Sequence, residues 1–270
     1  KGTVILQQGH NEFIEKYYET IQEFIDRGFY VIAFDWRGQG MSDHQIEDLN
    51  KSYIEDFSRH DKDLNYILEN IINIFFPKPL IGIGHSMGGC LMLSAFKNHN
   101  NQFALGILSA PMLGFKNEKF LRTASSLMNM FKKDTDYLLG SNPNMGIETP
   151  FEENDLTSDE VRYKRTLMLV RKKPEIRLWG VTNSFAKAVN KRFKIMRKKD
   201  WAEQIDLKIL TLSSLKDRVV YSKKITEMSN RIKNSKLVEF NNCEHEIFME
   251  KDQYRNIAFK EIDSFFEKNL

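Results

Sequence analysis

Short unbroken apolar runs alternate along this chain with longer stretches whose apolar residues recur every three or four positions. Residues 4–8 and 29–34 read as strands, the second as one buried on both faces because no polar residue interrupts it. Between them, residues 16–27 have helical spacing, with Tyr17, Ile21, Phe24 and Ile25 on one face. Residues 54–75 predict a long helix through Phe57, Leu64, Ile67, Leu68 and Ile71, and 80–83 and 103–109 predict further strands. This β-α-β alternation predicts a parallel sheet with helices on both faces.

The pattern stops at Ala110-Pro111 and resumes near Ile205. Residues 208–213 and 236–240 then read as strands, 223–233 and 252–266 as helices. The block between lacks buried-strand patterns and carries helical ones at 120–131 and 158–171. It is too long and too apolar for a structureless loop. The expected division is a core made of 1–111 and 204–270, with a helical cap inserted at 112–203 over or beside the carboxyl ends of the strands.

Composition narrows the classes. A chain of 270 residues, 41% of them hydrophobic, can bury the core of one large α/β domain with an insertion. A formal net charge of +3 is too small to imply nucleic acid, and no run of 18 apolar residues is present. Cys90 and Cys243 have neither metal-ligand spacing nor a disulfide framework, and fit a reducing compartment. The first residues, Lys1-Gly2-Thr3, lack an initiator Met, so a preceding segment is expected, either a targeting peptide or additional strands. The cap is strongly basic, with Arg162, Lys164, Arg165, Arg171, Lys172, Lys173 and a second group from Lys191 to Lys199. Such runs are solvated helix faces, or a surface for anionic lipid worth about 1 kcal/mol per basic residue; both readings stay open.

The candidate chemistry centres on Gly84-His85-Ser86-Met87-Gly88-Gly89, which stands between a predicted strand and a predicted helix. A G-x-S-x-G run alone arises in about one chain in ten of this length at ordinary Gly frequency. In a strand-turn-helix setting it is the nucleophile elbow of a serine hydrolase. Serine needs a general base, and the base an orienting acid. Of six histidines, only His99 and His245 follow Ser86 in the order of this fold class. His99 ends the helix that Ser86 opens, about 19 Å along its axis at roughly 1.5 Å per residue, which leaves His245 as base. Asp217, past the strand before it, is the expected acid. Asp206 lies at the wrong end of that strand, while Glu244 and Glu246 are expected to point away. The oxyanion donors are expected to be the backbone N–H groups of Met87 and His10. Asp35-Trp36-Arg37-Gly38-Gln39-Gly40 opens no helix in a dinucleotide pattern and reads as a structural loop, with Asp35 and Arg37 holding backbone near the site.

These motifs, with Gln8-Gly9…Glu12, Leu108-Ser109-Ala110-Pro111-Met112 and Asn242-Cys243-Glu244-His245-Glu246, resemble the monoacylglycerol lipase and lysophospholipase branch of the α/β-hydrolases. The bacterial lysophospholipases are similar through Leu156-Thr157…Arg162-Tyr163…Pro174-Glu175-Ile176-Arg177 as well. The resemblance covers nearly the whole chain. It implies serine esterase chemistry on a lysophospholipid or monoacylglycerol, with no metal or cofactor. The expected location is the cytoplasm, free or peripheral to the inner membrane, unless the preceding segment is a targeting peptide. Trp179, Thr182 and Phe185 are pocket residues only by this resemblance, and the basic cap is expected to meet a phosphate headgroup or an anionic membrane. Phe115, Phe120, Leu121, Leu127, Met128, Met130 and Phe131 either line an acyl channel or pack the cap on the core. Gln8 departs from the family, whose members commonly have His before the glycine. A carboxylesterase for soluble esters, an amide-cleaving relative and a non-catalytic binding protein are the alternatives.

Overall fold

Six parallel strands form the sheet in the order β2-β1-β4-β5-β7-β8, the arrangement of an α/β-hydrolase. They are β1 (Thr3–Gln7), β2 (Tyr30–Ala33), β4 (Leu80–His85), β5 (Phe103–Ser109), β7 (Ile209–Ser214) and β8 (Ser235–Phe240). A separate two-residue pair joins β3 (Lys51–Ser52) to β6 (Gly180–Val181). The computed structural model describes residues 1–99, 101–116, 118, 133–141 and 149–270. The predicted helix at 120–131, with Phe120, Leu121, Leu127, Met128, Met130 and Phe131, lies outside the described residues.

The helices around the sheet are α1 (Tyr18–Asp26), α2 (Ser58–Ile67), α3 (Asn73–Phe75), α4 (Ser86–Asn98), α5 (Glu160–Lys172), α6 (Asn183–Met196), α7 (Ser222–Ser229) and α8 (Asp252–Asn269). Two layers of core result. One packs α2 and α4 on the sheet through Leu64, Leu68, Leu91, Met92 and Phe96; the other packs α1 and α8 through Phe24, Phe259 and Ile262. Phe96 fills space that only glycine leaves open. A Cβ on Gly82 would meet its ring at 2.4 Å, and one on Gly106 at 2.6 Å.

Three expectations change. The strand at 29–34 is not buried on both faces: β2 pairs only with β1 among the described residues, and Tyr30 is exposed. Ile25 and Ile71, placed by periodicity on buried faces, are exposed. Ile71 lies within a π turn, Leu68–Ile72, between α2 and α3, and the buried stripe runs through Leu64, Leu68 and Ile72 instead. The third concerns the basic stretch of 160–199. Arg162 binds Glu19, Asp159 and Asp252; Arg165 binds Glu19; Arg192 binds Asp61; Lys191 pairs with Asp56 and Arg197 with Glu118. These five side chains therefore tie the stretch to carboxylates of other elements, and of the five Arg162 and Arg192 are withdrawn from solvent. Asp159 also caps α5, its carboxylate accepting from Arg162 N at 2.9 Å.

Two predictions follow from this packing. Phe96→Ala removes a fully buried ring that its two glycines cannot collapse around, at a cost of about 3–5 kcal/mol, read as a lower urea midpoint at unchanged slope. Hydrogen bonds from Arg162 hold the Glu19 carboxyl at about 2, down from the ordinary 4.5. A depressed acid stabilises the fold fully above its unfolded value and loses that contribution as pH falls through the folded one. Thermal midpoints measured from pH 5 down to pH 2 are expected to fall less steeply in Glu19→Gln than in the parent.

Candidate active site

β4 ends at His85 and α4 begins at Ser86, so the serine sits on the turn at the carboxyl edge of the sheet. Its φ is +50°, a left-handed value that a residue with a side chain adopts only under constraint. The flanking glycines supply that constraint. A Cβ on Gly84 would lie 2.6 Å from Gly88 O, and one on Gly88 would lie 2.5 Å from both Gln7 O and Gln8 O. The start of α4 thus presses against the end of β1, and Ser86 is forced outward. Ser86 O accepts from Met112 N at 2.8 Å, while Ser86 Oγ has no hydrogen-bond partner among the described residues. A nucleophile–base bond that tightens only with substrate bound is common in serine enzymes.

His245 and Asp217 come together. Nδ1 of His245 donates to Asp217 Oδ2 at 2.6 Å, with both side chains buried. The other carboxylate oxygen accepts from Val219 N and Val220 N, each at 2.8 Å, so the carboxylate is locked in place. With Nδ1 occupied, Nε2 of His245 is the nitrogen free to take a proton. The His245 ring lies 4.7 Å, centroid to centroid, from that of His85, the residue before Ser86. Burial lowers His85 to about 3, so it is neutral, and its Nδ1 donates to Ser109 O at 3.1 Å.

The loop after β1 lies against the serine: a Cβ on Gly9 would be 3.0 Å from Ser86 Cβ and 2.7 Å from Glu12 Oε2. Gly9 N is already committed, donating to Glu12 Oε2 at 2.5 Å. The N–H of His10, by contrast, has no partner among the described residues. The His10 ring is neutral, lowered by burial to about 4, and is held by Ser52 Oγ at 2.7 Å and by Phe185 at 4.6 Å between centroids. Met87 opens α4 and is buried. Gln8 bonds Asp35 Oδ1 at 2.8 Å, and Asp35 also accepts from Ile14 N and Met41 N. Asp35 thus holds backbone beside the site as expected, whereas Arg37 turns away to Asp63.

The resemblance-based pocket residues divide. Thr182 is fully buried; its hydroxyl donates to Ser52 O at 2.6 Å and accepts from Phe185 N at 3.3 Å, capping α6. It is a helix cap with no wall to offer a ligand. Phe185 packs on His10 and Phe57. Trp179 N donates to Asn50 O, while its indole Nε1 is buried without a partner among the described residues.

Sequence reasoning missed a buried ionic cluster beside the site. Lys16 Nζ contacts Glu12 Oε1 at 2.6 Å and Glu246 Oε1 at 2.5 Å, all three side chains being nearly inaccessible, and Tyr17 Oη donates to Glu12 Oε2 at 2.7 Å. Glu246 points away from the His245 ring, as expected, and Lys16 holds it inward. One ammonium cannot neutralise two carboxylates equally. Burial disfavours ionised Glu12, but Lys16, His85 and Tyr17 outweigh it and hold this carboxyl at about 2. Glu246 has only the lysine, and burial pushes it up. Glu12, His85 and Glu246 lie close enough to surround a cation, yet Lys16 Nζ already bonds both carboxylates. Glu12 and Lys16 stand at an i, i+4 spacing visible in the sequence; their link to Glu246, 230 positions away, is not.

Lys16→Met leaves two buried carboxylates facing each other, and is expected to cost about 3–5 kcal/mol. Adding Glu246→Gln should recover part of that loss. Urea denaturation of the single and double variants checks the sign of the coupling.

Residues 1–252 match the Hydrolase_4 family, described as serine aminopeptidase, S33. The probable lysophospholipase L2 of Haemophilus influenzae is 26% identical over 268 residues, covering 97% of this chain and 82% of the relative. The monoacylglycerol lipase of Mycolicibacterium smegmatis is 28% identical over 111 residues, 41% of this chain and 38% of that protein. Among solved structures, a soluble variant of the monoglyceride lipase of Saccharomyces cerevisiae superposes with a TM-score of 0.76 at 18% identity, over 99% of this chain and 88% of its own. The match over residues 1–252, on a parallel sheet that ends in a strained serine turn, makes this chain a member of the Hydrolase_4 family of α/β-hydrolases.

Proposed function

We propose that the protein is a serine esterase that hydrolyses the acyl ester of a single-chain lipid, a lysophospholipid or a monoacylglycerol. The observation that carries this reading is the buried His245–Asp217 bond of 2.6 Å beside a serine held at positive φ. Ser86 Oγ attacks the acyl carbon while His245 Nε2 takes its proton. The proton passes to the departing alcohol oxygen as the tetrahedral intermediate collapses, leaving an ester on Ser86. Water, deprotonated by the same nitrogen, then releases the fatty acid. Asp217 fixes the imidazole tautomer and stabilises its protonated form. The N–H groups of Met87 and His10 receive the oxyanion, each worth roughly 3–4 kcal/mol in the transition state.

Substrate class rests on the relatives, whose names specify a lysophospholipase and a monoacylglycerol lipase. Residues 112–203 act as the cap in this reading, with Phe115 packed on Phe193 as part of its apolar lining and the indole N–H of Trp179 as a polar contact. Arg171, Lys172, Lys194, Lys198 and Lys199 are exposed and form no ion pair among the described residues. They are the part of the basic surface left for contact with an anionic membrane. No helix among the described residues is long and apolar enough to cross one.

Ser86→Ala is expected to abolish labelling by a fluorophosphonate probe, and Asp217→Asn to lower kcat by about 10⁴ with the fold intact. A hydrolysis screen over monoacylglycerols, lysophosphatidylcholine and p-nitrophenyl esters of rising chain length reads the substrate. Turnover of the single-chain lipids is the expected result; preference for short soluble esters with no lipid turnover would overturn the lipid assignment.

A further inference from the structure

The arginines of the insertion do not share one fate. Arg162, Arg165, Arg192 and Arg197 all hold carboxylates, and Arg171 stands in solvent. Arg177 does neither. Its side chain is partly buried, yet the guanidinium forms no hydrogen bond or ion pair among the described residues. Burial lowers its affinity for a proton, and the two groups whose charge opposes that effect are Tyr163 and Glu246. Neither bonds it: Tyr163 Oη donates to Thr149 O at 2.7 Å, and Glu246 Oε1 is held by Lys16. A partly buried guanidinium that bonds no acceptor is a cost to the fold, which the nearby charge of Glu246 only partly offsets.

Its backbone neighbours place it beside the loop after β1. Ile176, on one side, is buried with Phe13 and Val170 in a small cluster that joins the insertion to the loop after β1. Leu178, on the other, donates its N–H to Asn11 Oδ1 at 2.8 Å. Asn11 follows His10 and is itself held at φ +58°. Arg177 is therefore pinned on both sides to the segment that carries the proposed oxyanion donor, and its charge acts on Glu246, the neighbour of His245. No carboxylate among the described residues bonds the guanidinium, which leaves its donors open to a ligand.

We propose that Arg177 is the anion subsite of this cleft and takes the phosphate of a glycerophosphate headgroup. The inference rests on the single-chain lipid reading of the active site and sharpens it from two substrates to one. A guanidinium presents its donors in a planar fork that fits two phosphate oxygens at once. In a lysophospholipid the phosphate stands at the far end of the glycerol whose ester is cleaved, so one molecule reaches both Ser86 and the subsite. A monoacylglycerol has no group for it.

Arg177→Gln and Arg177→Lys are compared with the parent on lysophosphatidylcholine and on a monoacylglycerol of equal chain length. The expected result is a fall of at least tenfold in the ratio of kcat/KM for the two lipids in Arg177→Gln, with partial retention in Arg177→Lys, which keeps the charge without the fork. An unchanged ratio in both variants overturns the proposal. A second arm uses p-nitrophenyl butyrate as substrate, with glycerol 3-phosphate and inorganic phosphate as inhibitors. Inhibition by glycerol 3-phosphate that weakens tenfold in Arg177→Gln supports the subsite. Equal inhibition by inorganic phosphate supports it as a site for the free anion, and no inhibition of the parent by either counts against it. This arm does not need lipid turnover. If the parent labels with fluorophosphonate but cleaves neither lipid, the lipid reading fails and the phosphate subsite is still decided. If Arg177→Gln does not fold, Arg177→Lys carries both arms.

Discussion

One ammonium group, Lys16 Nζ, joins the two loops on which the chemistry depends. It sits between Glu12, whose other oxygen holds Gly9 N in the loop after β1, and Glu246, the residue after His245. The loop after β1 and the loop that carries His245 come from opposite ends of the sequence, and this bridge spans 230 positions. A buried ionic cluster of this kind is poor evidence for net stability, because desolvating three charges costs about what their attraction returns. Its effect is geometric. Each partner is left badly unpaired by any other arrangement, so the loops have one way to meet. The histidine loop is braced again by Glu250, whose carboxylate accepts from Glu244 N and from Ser158 N and Oγ.

The same principle explains why the strained turn at Ser86 persists. A positive φ at a serine costs on the order of 1–3 kcal/mol, and the local sequence offers nothing to offset it. The contacts that fix it come from elsewhere: Gly88 packed on the backbone of Gln7 and Gln8, Gly9 against Ser86 itself, and Met112 N on Ser86 O. The geometry of the serine turn is a property of crowding at one edge of the sheet. The inserted segment is held to the body by polar contacts of the same long range, such as Arg162 to Glu19 and Thr157 Oγ1 to Met249 O at 2.7 Å.

Much of this was legible in the sequence for identifiable reasons. Strands β1, β4 and β5 carry short apolar runs because both faces of each are covered, and the glycines around Ser86 announce the turn. Elimination by chain order led to His245 and Asp217, and these two side chains do meet. What could not be read depends on partners distant in sequence. The apolar run at β2 looks central but lies at an edge, since neighbours in a sheet are set by topology. Thr182 has the residue type of a pocket donor, yet serves as a cap through contacts with Ser52 and Phe185. The basic residues of the insertion looked like a solvent-facing surface because their carboxylates lie far away in sequence.

The central claim is that Ser86 carries the acyl group during turnover. Intact-protein and peptide mass spectrometry of the enzyme quenched within a single turnover of a lysophospholipid tests it most directly. The account predicts a mass increase equal to one acyl chain, placed on the peptide containing Ser86 and absent in Ser86→Ala. Fatty acid released at full rate by Ser86→Ala, or an acyl adduct on another residue, would contradict it.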